Sequence, residues 1–553
     1  MQKRAFAAAL AALMMSSGIL SACTTAAEPQ ESVTTAETQE TISKATTAEQ
    51  TTSSEAAMTS AEETTKQTTI DPQFGDIDST GRTRYNASLR IGTIDKAGDL
   101  LEVEGEEEIT FQNYSEDSWK TICLRDYNPS NLREEFGSGM EEYHTAITEI
   151  SQGDKVLKFK ESEDPSIVTA GLDKAVKPGK QGTIKVKFTL QVPEGSARQS
   201  YSLVDGQNID DIVICLGPFL PAIPVYENGG WAKGEYFAFG ECFYTKCADY
   251  KVHVEVPSDY EVCATGADFK NDDGSYDFIA SNVRDFSLLA GRNLNCLEGA
   301  ANGVAVKVWY YDTQDYAKEA AEDTMLPLSV NAVKVMSDYF GDYPYDDLDV
   351  VICAFAYGGM EAPGFIRIND DYVRPSEDEE AEHNLHHLTE SLVHEIGHEW
   401  FYSAVGNDQY NEAWLDEGFA TLAEYIYREE TGDNDETTAN QGKIWHDTWQ
   451  SLCGLKIDMS YDDYVNDKTE GLKTPAEYKY TYAVYSGGAS FLYELRELMG
   501  KDDFRAFMRD WYSNNINREV TTKQFLQSVS DKAGSDKVKD LLEKYFSPGN
   551  IPS

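Results

Sequence analysis

His394-Glu395-Ile396-Gly397-His398, followed by Trp414-Leu415-Asp416-Glu417-Gly418, decides how this chain is read. Leu388, Leu392, Val393, Ile396 and Trp400 recur at helical spacing around the two histidines, which predicts a helix buried on one side. Residues four apart on a helix lie about 40° apart around its axis, with Cβ atoms roughly 5–6 Å apart. Two imidazoles so placed can share one ion at about 2.0–2.1 Å per nitrogen. Glu395 points to the edge of the same face, within reach of a water on that ion. Glu417 opens a second amphipathic stretch that runs through Tyr425 and supplies a third ligand. A His2Glu set leaves the fourth position open, as in a catalytic rather than a structural zinc site. With eight histidines in 553 residues, chance produces this motif on the order of 0.01 times, so two unrelated helix histidines are the poorer reading.

Other stretches support the motif. Glu424 lies two turns beyond Glu417 on the same face, where it can accept the outer N–H of a ligand histidine. A solvated helix glutamate is the alternative. Glu361 follows a strand edge in the loop from Gly358 to Pro363, where Gly358 and Gly359 permit close backbone approach of a peptide. Tyr485-Ser486-Gly487-Gly488 precedes an amphipathic helix marked by Phe491, Leu492, Leu495 and Leu498. A tyrosine at that entry can hydrogen-bond an oxyanion; Tyr482 is the runner-up.

The HEIGHEWF and WLDEGFA segments, with Gly358-Gly359-Met360-Glu361 and the Tyr485 segment, resemble the aminopeptidase N and leukotriene hydrolase family of gluzincin zinc peptidases. Order and spacing are similar over residues 80 to 550. The resemblance implies a multidomain fold: a β-rich, saddle-shaped or sandwich-like domain, then a thermolysin-like α+β catalytic domain. It implies one Zn2+ per chain on His394, His398 and Glu417, with Glu395 as base and Tyr485 on the oxyanion. Glu361 would hold the free α-amine of a peptide lying along Gly358 and Gly359. The expected activity is release of N-terminal residues from peptides. Ala362 stands where the family commonly has Asn, and Gly487 where it commonly has Lys. No second amine-binding acid can be placed in the β-rich part, and the C-terminal helical domain of longer members is expected to be absent. A metalloendopeptidase with an open cleft is therefore the alternative. A non-catalytic surface binding protein is disfavoured by the complete ligand set and Glu395.

The N-terminus reads as a targeting segment. Lys3 and Arg4 precede an apolar run from Ala5 to Leu20, too short to span a membrane. It ends in Leu20-Ser21-Ala22-Cys23, which resembles a bacterial lipoprotein processing box. Residues 1–22 are the expected signal peptide, Cys23 the lipidated residue, and the location the outer face of a bacterial cell membrane. An ordinary secretory signal is the alternative. Residues 23–70 are rich in Thr, Ser, Ala and Glu and lack aromatic residues, so they are expected to form a disordered tether. A coil of that length spans roughly 40 Å.

From 71 to 300 the texture is β. Ile184, Val186, Phe188, Leu190 and Val192 alternate with polar residues, as do Tyr250, Val252, Val254 and Val256, and turn clusters such as Asn271-Asp272-Asp273-Gly274 intervene. Hairpin turns account for those Asp/Asn loops better than calcium sites. From 301 to 553 the expected peptidase domain begins with a strand over 304–311 and a helix over 316–339, then a buried strand over 349–355.

Charge and cysteine content narrow the partners. Lys+Arg 47 against Asp+Glu 96 gives a net charge of −49, which excludes nucleic acid as a partner. His383, His386 and His387 read as solvated helix histidines. His387 lies about 10 Å along the axis from His394 and cannot share its ion. The cysteines lack C-x-x-C spacing. Cys242 and Cys247 are either a disulfide or free thiols.

Overall fold

The computed structural model describes residues 81–552, apart from 129–145, 205, 207, 238–239, 377, 433–435 and 470–473. The expected signal peptide, Cys23 and the expected tether lie outside the described residues. No described helix is long and apolar enough to cross a membrane.

Alternation builds the first layer. Ile184, Val186, Phe188, Leu190 and Val192 line the buried face of the strand Gln181–Val192. That strand sits in an eight-stranded sheet whose central strands are Ala248–Glu255, Thr83–Ile91, Leu101–Gln112 and Gln181–Val192. The sheet is mixed rather than purely antiparallel: Thr83–Ile91 pairs parallel with Ala248–Glu255. Most of the β-domain forms the long crossover that a parallel pair needs. Alternation reports which face is buried, not strand direction, so this pairing could not be read from sequence.

A four-stranded sheet shares the core of that layer. Its strand Ile212–Leu216 is an unbroken apolar run, buried throughout. Ile212, Ile214 and Leu216 enter the β-domain core, whereas Val213 and Cys215 enter the core of the catalytic part. The sheet is a wall common to two cores, which is why its sequence does not alternate.

The catalytic part opens with a five-stranded sheet in the order Leu294–Ala301, Val304–Tyr311, Asp347–Cys353, Phe365–Asn369, Gly359–Met360. The expected boundary at 300/301 cuts its first hairpin, which is in register from Leu294↔Tyr311 to Ala301↔Val304. Asn302 (φ 52°) and Gly303 (φ 90°) make the hairpin turn. The division therefore falls before Leu294. The helix expected over 316–339 is broken by a π turn at Ala321–Met325 ahead of α1 (Leu326–Phe340). Pro327 has no N–H to continue an α ladder, and the wider turn absorbs the defect.

Four more helices frame the site: α2 (Asp378–Gly397), α3 (Trp414–Thr431), α4 (Glu436–Leu452) and α5 (Gly488–Met499). Trp414 is fully buried at the start of α3, against Phe419, Phe491, Phe525 and Phe546. Its indole N–H donates to Thr522 Oγ1 at 2.9 Å. Truncating one of these rings would cost about 3–5 kcal/mol. The eight cysteines beyond Cys23 are free thiols, Cys242 and Cys247 included.

Candidate active site

Small residues set the distances at the site. A Cβ on Gly397 of α2 would lie 3.1 Å from Ala423 Cβ of α3, and one on Gly418 would lie 2.9 Å from Gly488 Cα of α5. Three helices thus meet at glycine contacts, drawing Glu417 and Glu424 onto the histidines and Tyr485 onto Glu417. Tyr485 lies in a π turn, Tyr482–Gly487, that leads into α5, and its hydroxyl donates to Glu417 Oε1 at 2.6 Å.

The ligand set converges. His394 Nε2 and His398 Nε2 are 3.1 Å apart, and Glu417 Oε2 lies 3.1 and 3.4 Å from them. Atoms bound at about 2.0–2.1 Å to a tetrahedral ion lie about 3.3 Å from one another. The outer nitrogens fix the tautomers. His394 Nδ1 faces Glu424 Oε1 at 2.7 Å, and His398 Nδ1 faces the Phe401 carbonyl at 3.1 Å. Both Nε2 lone pairs therefore point inward, and the donor set fits zinc. Burial disfavours charge on His394, but its bonds to Glu417 and Glu424 prevail and hold its pKa up at about 10. Burial also opposes ionisation of Glu417, yet both histidines prevail and hold it below the usual carboxylate range. A cation takes the place of the histidine protons.

Glu395 points into the same cavity, and burial pushes it up to about 8, with His394 opposing. A Cβ on Gly359 would lie 2.6 Å from Glu395. The glycine expected to admit a peptide thus also makes room for this carboxylate. Glu361 is buried (4 % exposed) and accepts from Gln409 Nε2 at 3.3 Å. Its loop is tied down by Glu399, whose carboxylate accepts the Gly364 N–H at 3.0 and 3.1 Å. Gly358, Gly359 and Glu361 line the cavity with the metal-ligand residues. Tyr482 does not line it.

Two charged cavity residues come from the β-domain and were not identifiable in the sequence. Arg198 Nη2 donates to Glu241 Oε1 at 2.7 Å, with both side chains buried. Burial pushes the Glu241 carboxyl upward, and Arg198 opposes it. The β-domain thus puts a buried acid on the cavity wall, where none could be placed from sequence. Glu241 stands alone after Gly240, with no spacing to mark it.

The departure at Gly487 has a steric basis. A Cβ there would lie 2.8 Å from Trp449 and from Ile457, so those side chains occupy the space a lysine stem would need. After α2 the chain turns through Tyr402 (φ 124°), a conformation costing about 1–3 kcal/mol. Two β-domain residues hold it. Arg284 donates to the Tyr402 carbonyl at 2.7 Å, and Asp285 accepts from the Tyr402 hydroxyl.

Residues 325–545 match the Peptidase family M1 domain. An aminopeptidase A of Gloydius brevicauda is 27% identical over 232 residues, covering 39% of this chain and 23% of that protein. Aminopeptidase N of Streptomyces lividans is 27% identical over 203 residues, covering 35% of this chain and 22% of that protein. The chain thus spans about a quarter of the length of the curated relatives it matches. An M1 zinc metallopeptidase of Deinococcus radiodurans shares the fold with a TM-score of 0.60 at 17% identity, over 84% of this chain and 94% of that one. A variant of that enzyme bound to a Tyr-Ser-Ala substrate gives 0.58 at 17% identity, over 85% and 95%. Catalytic helices, convergent His–His–Glu ligands and the matching domain lead to one assignment: residues 325–545 of this chain form a domain of peptidase family M1 with a His–His–Glu zinc-ligand set.

Proposed function

We propose that the protein is a zinc-dependent aminopeptidase that removes residues one at a time from the N-termini of peptides. The observation that carries this reading is the pair of buried carboxylates, Glu241 and Glu361, on the cavity wall beside Glu395 and the ligand histidines. A free α-ammonium offers them charge-assisted hydrogen bonds that a blocked N-terminus cannot. Arg198, Gly240 and Glu241 wall the cavity on the β-domain side. The metalloendopeptidase alternative requires the peptide to continue past that wall.

Zinc, when held by His394, His398 and Glu417, supplies Lewis acidity toward a carbonyl and toward water. Glu424 and the Phe401 carbonyl orient the imidazoles. Glu395 takes a proton from the attacking water and delivers it to the leaving amine. Tyr485 donates its hydroxyl to the oxygen that gains charge as the carbonyl is attacked. Glu361 and Glu241 fix the ammonium so that the first peptide bond reaches Glu395. The test is an unmodified peptide mixture digested and read by mass spectrometry. Ladders of single N-terminal losses are expected; internal cuts as the main products would replace this reading with the endopeptidase.

The anchoring proposal rests on the N-terminal sequence. Lys3, Arg4, the apolar run to Leu20 and the box ending at Cys23 support processing before Cys23 and lipid on its thiol. The enzyme then stands on the outer face of a bacterial membrane, on a tether through residue 70. Cys23→Ser should move the protein from membrane to medium with activity unchanged. Unaltered protein found entirely soluble in its native host would remove this claim.

A further inference from the structure

His383 and His387 also stand four apart on α2, and their Nε2 atoms are 3.0 Å apart. That is the separation of the His394 and His398 Nε2 atoms to within 0.1 Å. His387 is buried (5 % exposed), and its Nδ1 has no hydrogen-bond partner among the described residues but lies 3.7 Å from Glu390 Oε2. A lone pair on Nδ1 would face that carboxylate, so the ring proton belongs on Nδ1. The Nε2 lone pair of His387 is then turned toward His383. Glu424 imposes the same tautomer on His394.

Both rings line a cavity of ≈ 1080 Å³ bounded by the β-domain and the catalytic part. Its wall carries the carboxylates of Glu194, Asp370, Asp371 and Glu380 against the guanidinium of Arg374. Arg374 pairs with Asp370 and Asp371. The balance of charge favours a cation.

We propose that His383 and His387 form a second metal site, for a borderline divalent ion such as zinc, nickel or copper. Imidazole nitrogens select these ions over calcium and magnesium. The site is weaker than the first because it offers two protein ligands among the described residues. Among the described residues, the sets of three convergent ligand atoms both lie at the active site. The remaining coordination positions face the cavity and are open to water. An ion there is separated from the first by about 16 Å along the helix, eleven residues at about 1.5 Å each.

The test is a metal count on full-length protein stripped with chelator and dialysed against graded free zinc. The unsubstituted protein should bind two ions per chain, one tightly and one weakly. His383→Ala, at an exposed position, should weaken the second ion by more than the roughly 10–100-fold that an outer-sphere loss costs, with the first unchanged. His398→Ala should lose the tight ion and keep the weak one. With Cu2+ on His398→Ala, electron paramagnetic resonance should show two coupled nitrogens, reduced to one by His383→Ala. One ion at saturating zinc, or a second ion that persists unweakened in His383→Ala, would overturn the proposal. The readout is metal, not turnover, so it stands apart from the peptidase reading.

Discussion

Two histidine pairs at one spacing lie along α2 and the turn that ends it, yet their surroundings differ. His394 and His398 have Glu395 after the first histidine and Gly397 before the second. His383 and His387 have Asn384 and His386 at those places. Gly397 lets α3 press close enough to deliver Glu417 and Glu424. At the other pair, His386 lies 3.2 Å from Arg428 and 3.4 Å from Glu390, and no third ligand converges among the described residues. Spacing alone therefore makes a nitrogen pair. The neighbouring helix makes a His–His–Glu set, and one glutamate supplies a base.

The largest effect expected is at that glutamate. Glu395→Gln keeps the donor geometry and removes the base, so turnover should fall by roughly 10²–10⁴-fold with zinc retained. Parent-rate hydrolysis in this variant would break the comparison. Asn384→Glu, made in the same background, should restore nothing, because the upstream pair does not line the cavity that holds Glu361 and Glu241. Next is Glu361→Gln, which should lower kcat/KM on free-amine substrates by roughly ten- to a thousandfold, about 1.4–4 kcal/mol. Activity on N-blocked peptides should change far less, and equal losses on both would show that Glu361 does not read the N-terminus. Smaller again is Glu424→Gln, which should weaken zinc by roughly 10–100-fold. Glu390→Gln, beside the upstream pair, should leave the tight ion unmoved; competition with a chromogenic chelator reads both.

What was legible in the sequence follows from what is local. The strand Gln181–Val192 declares its buried face by strict alternation. The convergence of His394, His398 and Glu417 was legible because two ligands share a helix and the third opens the next one. Glu424 was ambiguous, since helical phase gives its face but not how closely α2 and α3 pack. That distance depends on Gly397 against Ala423, a tertiary fact. Glu241 and Arg198 were illegible for a different reason. Each is an isolated residue of the β-domain, brought to the metal ligands by the packing of two cores across the shared sheet. The parallel pairing of Thr83–Ile91 was hidden because alternation carries no direction.

The claim that the site reads a free N-terminus and cuts beside it is tested most directly with one reporter in two forms. An amino-acid reporter amide and its N-acetylated counterpart are assayed on the zinc-loaded protein. Glu241 and Glu361 face an ammonium in the first and a neutral amide in the second. The account predicts efficient release from the free-amine form and a loss of at least roughly a hundredfold on acetylation, within the range set by losing charge-assisted contacts that position the bond. Equal kcat/KM for the two forms would contradict it.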